Sequence, residues 1–319
     1  MPLPIPTATL APFFLDFETT GLDPATDHVL EVGLRGRVSW DRLVSDAPPA
    51  SMAALRVHGL DPVLCQVRGR PSREVLGDLI ARLGPGPVQV VAHHAAFERA
   101  FLEAWARKES MELPEIQWSC TLEQVRALAA GAPFRYRLGD LATLLGWGCG
   151  ELHRAGCDAA LTQRLQDALH AWRSVQESMG PDPGLVYLAG PLRGDGSPGG
   201  IRHNQAAMAN LCRWAQAILP QAVLVVPHLN FAYLDESGTR GLDVRALALR
   251  ACERLVARCD ALVLCGTPLT EGMRKEKVIA MSCGLPVFEV PKWDPPSEGP
   301  GFSKQVAGHI PDAELTWAQ

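Results

Sequence analysis

The sequence of 319 residues lacks the features that mark several protein classes. Its nine cysteines are scattered singly, without a Cys-x-x-Cys pair, which is typical of a reducing compartment and argues against a disulfide framework. A net charge of −5 leaves no basic excess of the kind that tight non-specific duplex binding requires. No run reaches the ~18–20 consecutive apolar residues of a membrane span. The first residues lack the basic region and apolar core of a secretion signal, so we expect a cytoplasmic protein.

The chain is long enough for two hydrophobic cores. Its apolar content of 47% and charged content of 20% are ordinary for a globular protein. Residues 176–184, which read Gln-Glu-Ser-Met-Gly-Pro-Asp-Pro-Gly, are the best candidate for a linker. We therefore predict a first domain over residues 1–175 and a second over 185–319, with an irregular tail from about residue 291.

The two halves differ in how apolar segments follow one another. In the first half, a strand ending near residue 18 and strands at 29–40 and 43–45 predict an antiparallel meander, joined by a buried strand at 88–92. Helices are predicted at 72–83, 95–107, 122–130, 138–145 and 157–174. In the second half, strands at 186–189, 223–226, 261–265 and 286–290 alternate with helices at 204–219, 245–258 and 272–282. That alternation predicts an α/β fold with a doubly wound parallel sheet, flavodoxin-like or Rossmann-like.

The most informative stretch lies at residues 13–22, where an apolar strand ends in Asp-Phe-Glu-Thr-Thr-Gly-Leu. Residues two apart on a strand share a face, so Asp16 and Glu18 project from the same side. Two carboxylates that close repel each other, and a divalent cation relieves the repulsion. The alternative is a strand end with two solvated acids followed by a turn.

Two further clusters carry chemistry in this half. Glu98 lies on a helix just after a strand, and His153 and Asp158 occur in His-Arg-Ala-Gly-Cys-Asp. Four carboxylates and a histidine are the side chains of a two-metal phosphodiester cleavage site, where the acids hold two Mg²⁺ (or Mn²⁺) ions and the histidine takes a proton from water. Cys149, His153 and Cys157 have a spacing that suggests zinc, but they lack a fourth ligand.

These fragments, in this order, resemble the DEDDh 3′–5′ exonucleases of RNase H-like fold, which include polymerase proofreading subunits and RNase T. The resemblance spans residues 12–172. It rests on five fragments: Asp-Phe-Glu-Thr-Thr-Gly-Leu at 16–22, Val-His-Gly-Leu at 57–60, Ala-His-His-Ala-Ala-Phe-Glu at 92–98, Cys-Thr-Leu at 120–122 and His-Arg-Ala-Gly-Cys-Asp-Ala at 153–159.

The resemblance implies a role for each matching position. Asp16, Glu18, Glu98 and Asp158 are expected to be metal ligands and His153 the general base. The residues that would bind the terminal nucleotide and the substrate strand are Thr19, Leu22 and His58. Two positions depart from the family pattern: Glu98 stands where the family has Asp, and His94 where it has Asn. Because Glu is one methylene longer, Glu98 serves only if its side chain folds back or binds through water.

In the second half, a Gly-rich loop follows the first strand, and Glu276 lies four residues after Gly272 on a later helix. Such a loop is where a doubly wound sheet binds phosphate or sugar, although a merely flexible loop fits the sequence almost as well. Tyr-Leu-Ala-Gly-Pro at 187–191 with this Gly and Glu resembles the nucleoside 2-deoxyribosyltransferase superfamily over residues 185–290. The resemblance implies a nucleoside or nucleotide site with Glu276 as nucleophile on the sugar. Its other members would be Tyr187, Gly190, Arg193, Asp260 and Gly272.

One residue of that pattern is replaced, because the transferases have Asp where this chain has Thr270. The alternative for Glu276 is an interaction with the helix N-terminus near Gly272, and for Asp260 the capping of a strand.

Together these patterns predict an enzyme: a metal-dependent 3′–5′ exonuclease on single-stranded DNA or RNA. A second domain would bind a nucleoside or nucleotide and cleave N-glycosidic bonds. The alternative is a nucleotide-sensing or nucleic-acid-binding protein in which both catalytic sites are degenerate.

Overall fold

The computed structural model describes residues 11–147, 153–180, 184–191, 197–231, 243–266 and 268–290. The strands are β1 Phe13–Thr19, β2 Val29–Arg35, β3 Trp40–Leu43, β4 Val88–Ala92, β5 Ile116–Cys120, β6 Leu185–Ala189, β7 Val223–Val225, β8 Ala261–Cys265 and β9 Val287–Val290. The helices are α1 Met52–His58, α2 Pro62–Arg68, α3 Ser72–Leu83, α4 Ala95–Glu109, α5 Thr121–Leu128, α6 Leu138–Leu144, α7 Ala155–Met179, α8 Pro198–Ile218, α9 Pro227–Asn230, α10 Val244–Val256 and α11 Glu271–Ser282. The predicted tail from residue 291 lies outside the described residues.

The first sheet has the strand order β3-β2-β1-β4-β5. Strands β1, β2 and β3 are antiparallel neighbours, while β4 is parallel to both β1 and β5. β1 is central and apolar, with Phe13, Leu15 and Phe17 buried, because it is covered on both faces. The predicted antiparallel meander joined by a buried strand is therefore confirmed, as is the RNase H-like arrangement of a mixed sheet flanked by helices.

The second sheet is parallel throughout, with the order β7-β6-β8-β9. Its two inner strands, β6 and β8, are buried along almost their whole length, as expected for strands with helices on both faces. This confirms the doubly wound parallel sheet predicted for the second half.

Several element bounds differ from the prediction. Helices α1 and α2 lie between β3 and α3, where the sequence predicts no helix. Each has only seven residues, which is too few for helical periodicity to show. The Ser51 side chain caps α1 and the Asp61 side chain caps α2. Helix α3 begins at Ser72, as predicted, and Pro71 takes its N-cap position. Helix α8 begins at Pro198 because Ser197 caps it.

Helix α7 is longer than predicted and ends at Met179, so the first four residues of the expected linker are helical. The domain division itself stays a prediction.

One buried apolar cluster joins the two halves. It contains Trp172 from α7 together with Val186 from β6, Trp214 from α8 and Val263 from β8. Phe134, from the loop before α6, stacks on Trp214 with ring centroids 5.8 Å apart. The C-terminal part of α7 thus packs on side chains from the second sheet as well as on those of α5 and α6. Among the described residues, no helix has the length and apolar character needed to cross a membrane.

Candidate active site

Asp16 and Glu18 lie towards the carboxyl end of strand β1 and on the same face of it, as the alternation predicts. The register between β1 and β2 shifts between Glu18 and Thr19, an irregularity that ends regular pairing there. Such irregularities often occur beside functional sites because they change the direction in which a side chain points. The turn that follows is tied back to β2, since the Thr20 side chain accepts a hydrogen bond from the backbone N–H of His28 at 2.9 Å.

The start of α7 brings the third acid to the same place. Asp158 lies in the first turn of this helix, and ligand oxygens of Asp16, Glu18 and Asp158 all lie within 4.8 Å of one another. His153 immediately precedes the helix and has a positive φ of 63°, which is uncommon for a residue other than glycine. Its charge and its backbone both lower the pKa of Asp158, so the histidine lies next to that carboxylate.

Glu98 lies beside this group but not within the 4.8 Å set. It is in the first turn of α4 and almost fully buried, and a hydrogen bond from the backbone of Phe17 lowers its pKa. Burial and the charge of Glu18 outweigh that hydrogen bond and raise the pKa of Glu98. The structure therefore places Glu98 next to the acids of β1 but outside their group of ligand oxygens.

The pKa values of all four carboxylates are raised, as expected of a site that binds a positive ion. Burial, and then the charges of Glu98, Asp158 and Glu18, raise the pKa of Asp16 well above its ordinary value. Burial and the charge of Asp158 raise the pKa of Glu18 to about 8. Burial raises the pKa of Asp158 to about 6 despite the opposing effect of His153. Acids held together against such repulsion are common at functional sites.

The donor set fits a divalent cation such as Mg²⁺, which prefers carboxylate oxygen and water. Two carboxylate oxygens, Oε2 of Glu98 and Oδ1 of Asp158, are buried without a hydrogen-bond partner. Buried acceptors are rarely left unsatisfied, and a cation or its water would satisfy both. The structure thus supports metal binding by this cluster.

Thr19, Leu22 and His58 are the residues expected to contact substrate. Leu22 is 84% exposed, so its side chain is accessible to solvent. The Thr19 side chain donates to the backbone oxygen of Gly21 at 2.6 Å, which shapes the turn. His58 ends α1, next to Gly59, whose φ of +64° closes the helix in the left-handed conformation that glycine permits.

His58 is also close to the acidic site. Its Nδ1 accepts from the backbone N–H of Leu60 at 3.0 Å, and its Nε2 is buried without a partner. Burial lowers the pKa of His58. A hydrogen bond with the backbone of Thr19 opposes this change, and the charge of His153 adds to it. The neutral imidazole therefore presents an N–H donor next to Thr19.

Two residues beside the acidic cluster were missed by sequence reasoning. Glu31 lies on β2 opposite Glu18, and its carboxylate binds the Arg154 guanidinium, with Nη2–Oε1 at 2.6 Å and Nε–Oε2 at 3.0 Å. The same carboxylate accepts from the backbone N–H of Ala155 at 3.1 Å. A buried acid on a strand and an arginine beside the motif histidine were the available signals, but the partners are 123 residues apart.

In the second half, Tyr187 and Glu276 meet. The fully buried tyrosine donates its hydroxyl hydrogen bond to Oε1 of Glu276 at 2.6 Å. Burial raises the pKa of Glu276 to about 7, and the hydrogen bond from Tyr187 opposes that rise. The thiol of Cys252, on α10, hydrogen-bonds with Tyr187 and raises its pKa further, after burial and Glu276.

The other expected members of this second site are placed differently. Asp260 precedes β8 and accepts from the backbone N–H of Leu185 at 2.7 Å, which fits the alternative of a strand cap. A Cβ at Gly190 would lie 2.5 Å from the sulfur of Met208, so close packing on α8 explains that glycine. Gly272 lies in the first turn of α11, which Thr270 caps through a 3.3 Å hydrogen bond from Met273 N–H. Arg193 lies outside the described residues.

The chain is similar in sequence to two bacterial polymerases. It is 29% identical over 160 residues to the PolC-type DNA polymerase III of Thermotoga maritima, a match that covers 47% of this chain and 11% of the polymerase. The match to the Thermotoga petrophila protein is 29% over 159 residues, with the same coverage. The chain thus spans about a tenth of the length of these relatives. This similarity supports the resemblance of the first half to DEDD-type exonucleases.

Solved structures of exonuclease I are similar to this chain at low sequence identity. One, described as suggesting how processivity is achieved, has a TM-score of 0.45 at 14% identity and covers 52% of this chain and 41% of that chain. The E. coli enzyme in complex with a dT13 oligonucleotide has a TM-score of 0.42 at 15% identity and covers 53% and 45%.

Residues 184–290 match a family model described as Domain of unknown function (DUF7768). That description names no activity for the second half.

Proposed function

We propose that this protein is a metal-dependent 3′–5′ exonuclease that shortens single-stranded DNA or RNA. The observation that carries the proposal is the convergence of Asp16, Glu18 and Asp158 within 4.8 Å, with His153 beside them. The sequence similarity to PolC-type DNA polymerase III supports it, because a polymerase of that kind acts on nucleic acid. The cytoplasmic location predicted from the sequence belongs to the same proposal.

In the proposed reaction, Asp16, Glu18 and Asp158 would hold two Mg²⁺ ions, with Glu98 completing the set through water. When bound, the ions would supply Lewis acidity towards a water molecule and towards the phosphate and leaving oxygens. His153, which is exposed, accepts a proton from that water. Leu22 packs against the terminal base, Thr19 contacts the last nucleotide, and His58 lies near the substrate strand. The products are nucleoside 5′-monophosphates and a shortened strand.

End-labelled oligonucleotides test this proposal. With Mg²⁺, a 5′-labelled single strand should give a ladder of shorter products, and a 3′-labelled strand should release its label at once as a mononucleotide. Parallel single-stranded DNA, double-stranded DNA and RNA substrates give the preference. Asp16→Ala should be inactive, while Asp78→Asn, which removes an arginine-paired carboxylate on α3, should stay active. A wild-type protein that leaves all substrates intact with Mg²⁺ and Mn²⁺ would refute the proposal.

The alternative is a binding protein with degenerate catalytic sites. The two are distinguished by titrating Mn²⁺ and oligonucleotide separately. Two Mn²⁺ sites that are lost in Asp16→Ala favour the enzyme, whereas oligonucleotide binding that needs no metal favours the binding protein.

A second activity is favoured by the Tyr187–Glu276 hydrogen bond at 2.6 Å. We propose that the second half binds a nucleoside or nucleotide, as deoxyribosyltransferase-like proteins do. The Glu276 carboxylate would attack the sugar anomeric carbon and displace the base, and water would then release the sugar. Incubation with oligonucleotide and Mg²⁺ should then yield free bases, and Glu276→Gln should stop at mononucleotides. Mononucleotides alone from the wild-type protein would count against this activity.

A further inference from the structure

The acidic site contains one more carboxylate than the proposed metal ligands. Glu31 is buried, lies opposite Glu18 across the β1–β2 pair, and is outside the group of Asp16, Glu18 and Asp158. Its charge raises the pKa values of all three of those acids. A fifth acid therefore adds repulsion to a site that already has too much negative charge, and its presence calls for a separate reason.

The contacts of Glu31 provide that reason. Its carboxylate binds the Arg154 guanidinium through two nitrogens, at 2.6 and 3.0 Å, which is the planar two-point geometry that arginine forms with acids. It also accepts from the backbone N–H of Ala155, the first residue of α7. Arg154 occupies the N-cap position of α7 and its side chain forms no cap hydrogen bond, so Glu31 adds a second negative charge, beside Asp158, at that helix end.

These contacts fix the two residues that directly follow His153. The backbone of His153 has a φ of 63°; among the described residues, Ser110 is the other non-glycine residue with positive φ, and it ends helix α4. A left-handed conformation is strained for a residue of this type and persists where neighbouring contacts hold it. The Glu31–Arg154 pair and the Ala155 hydrogen bond are such contacts.

We propose that Glu31 and Arg154 are positioning residues: their partly buried ion pair holds the backbone at 153–155 in the conformation that directs the His153 imidazole towards Asp158. The proposal rests on the exonuclease function proposed above. It assigns Glu31 no contact with substrate or metal. It explains why an additional acid remains among the acids of β1.

The test compares Glu31→Gln in two backgrounds, the wild-type protein and His153→Ala. In the wild-type background, Glu31→Gln should lower kcat on a single-stranded DNA oligonucleotide by about 10–100-fold, because misplacing a catalytic group by ~1 Å has effects of that size, and should leave KM nearly unchanged. In the His153→Ala background the same change should cost less than about 3-fold, because the group being positioned is gone. An equal loss in both backgrounds would mean a purely structural role and would overturn the proposal.

Arg154→Lys repeats the test in case Glu31→Gln does not fold. It keeps the positive charge but loses the two-point contact, so a smaller loss that again disappears in the His153→Ala background is expected. Asp78→Asn, the loss of an arginine-paired acid on α3, should keep kcat within about 2-fold of wild type, as surface ion pairs contribute little.

A readout without activity separates this inference from the proposed function. Amide hydrogen exchange over residues 153–158 should accelerate in Glu31→Gln, even in a wild-type protein found to be inactive on nucleic acid. Inactive wild-type protein with accelerated exchange would refute the exonuclease function and keep the anchoring role. Unchanged exchange would refute the anchoring role, whatever the activity.

Discussion

Glu98 tests whether the length of one side chain sets the activity. Its carboxylate is buried in the first turn of α4, beside but outside the 4.8 Å group of acids. We expect Glu98→Asp to retain nuclease activity or raise it up to about 10-fold, because a shorter acid fits the family arrangement and catalytic groups act best when placed within about 0.5 Å. The measurement is kcat on a labelled single strand. Glu103→Asp, on the exposed face of the same helix, is the control. Abolished activity in Glu98→Asp would show that Glu98 is not a substitute for the missing Asp.

The raised pKa values of the acids predict how pH affects stability without metal. The pKa of Asp158 rises from 3.8 to about 6 and that of Glu18 from 4.5 to about 8, so the folded protein binds more protons than the unfolded chain between about pH 4 and pH 8. Stability therefore falls as pH rises through that range. We expect the Tm of the protein in EDTA to decrease from pH 5 to pH 8, and Mg²⁺ to raise Tm more at pH 8 than at pH 5.

Asp16→Asn removes one of the repelling charges and serves as the comparison for that measurement. It should raise Tm in EDTA at pH 8 and weaken the response to Mg²⁺. A metal-free Tm that is constant over this pH range would contradict the buried, mutually repelling cluster.

At the scale of elements, the packing of the first turn of α7 on β2 determines the position of Asp158. A Cβ at Gly33 would lie 2.1 Å from the backbone carbon and oxygen of Ala155, so the first turn of α7 packs directly on this glycine. Gly33 is also opposite Asp16 in the β1–β2 register. The close approach of helix and strand therefore sets the distance between Asp16 and Asp158.

Gly33→Ala should push α7 away from the sheet. We expect a loss of about 1–3 kcal/mol in stability, the usual cost of overpacking, and a larger fractional loss of Mg²⁺ affinity and activity. Denaturant unfolding and Mn²⁺ titration measure the two effects. Gly77→Ala, on helix α3, is the matched control. Its added Cβ would lie 3.5 Å from Met111 Cε, an ordinary van der Waals distance, so the change should be neutral or stabilising. Equal behaviour of the two variants would refute the role given to Gly33.

Features that depend only on the local sequence were the easiest to predict. Strand β4 and helix α3 have the bounds that the apolar pattern indicates, and Asp16 and Glu18 follow from strand alternation. The contact of Glu31 with Arg154 was not predictable, since it joins residues 123 apart and depends on the packing of α7 over β2. The 4.8 Å convergence of the acids came from the family resemblance, because periodicity alone places no distant segments together.

At the scale of the whole molecule, helices of the first half share a buried cluster with the second sheet. Trp214 of α8 is fully buried and stacks on Phe134 of the first half. We expect Trp214→Ala to destabilise the protein by about 3–5 kcal/mol and to speed hydrogen exchange in α5 and α6 as well as in the second half. Val223→Ala, at a site 60% exposed, is the control. Faster exchange confined to residues 184–290 would show that the halves unfold independently.

Helix α7 places a practical constraint on anyone who wishes to build chimeras from this protein. Its 25 residues span about 37 Å at ~1.5 Å per residue, with Asp158 at one tip and Trp172 in the shared cluster further along. A chimera that replaces the second half must keep helix α7 intact and must provide new packing partners for its C-terminal part. Gly180, with a φ of 67°, marks the first suitable junction, whereas a junction at residue 175 would cut the helix four residues before its end.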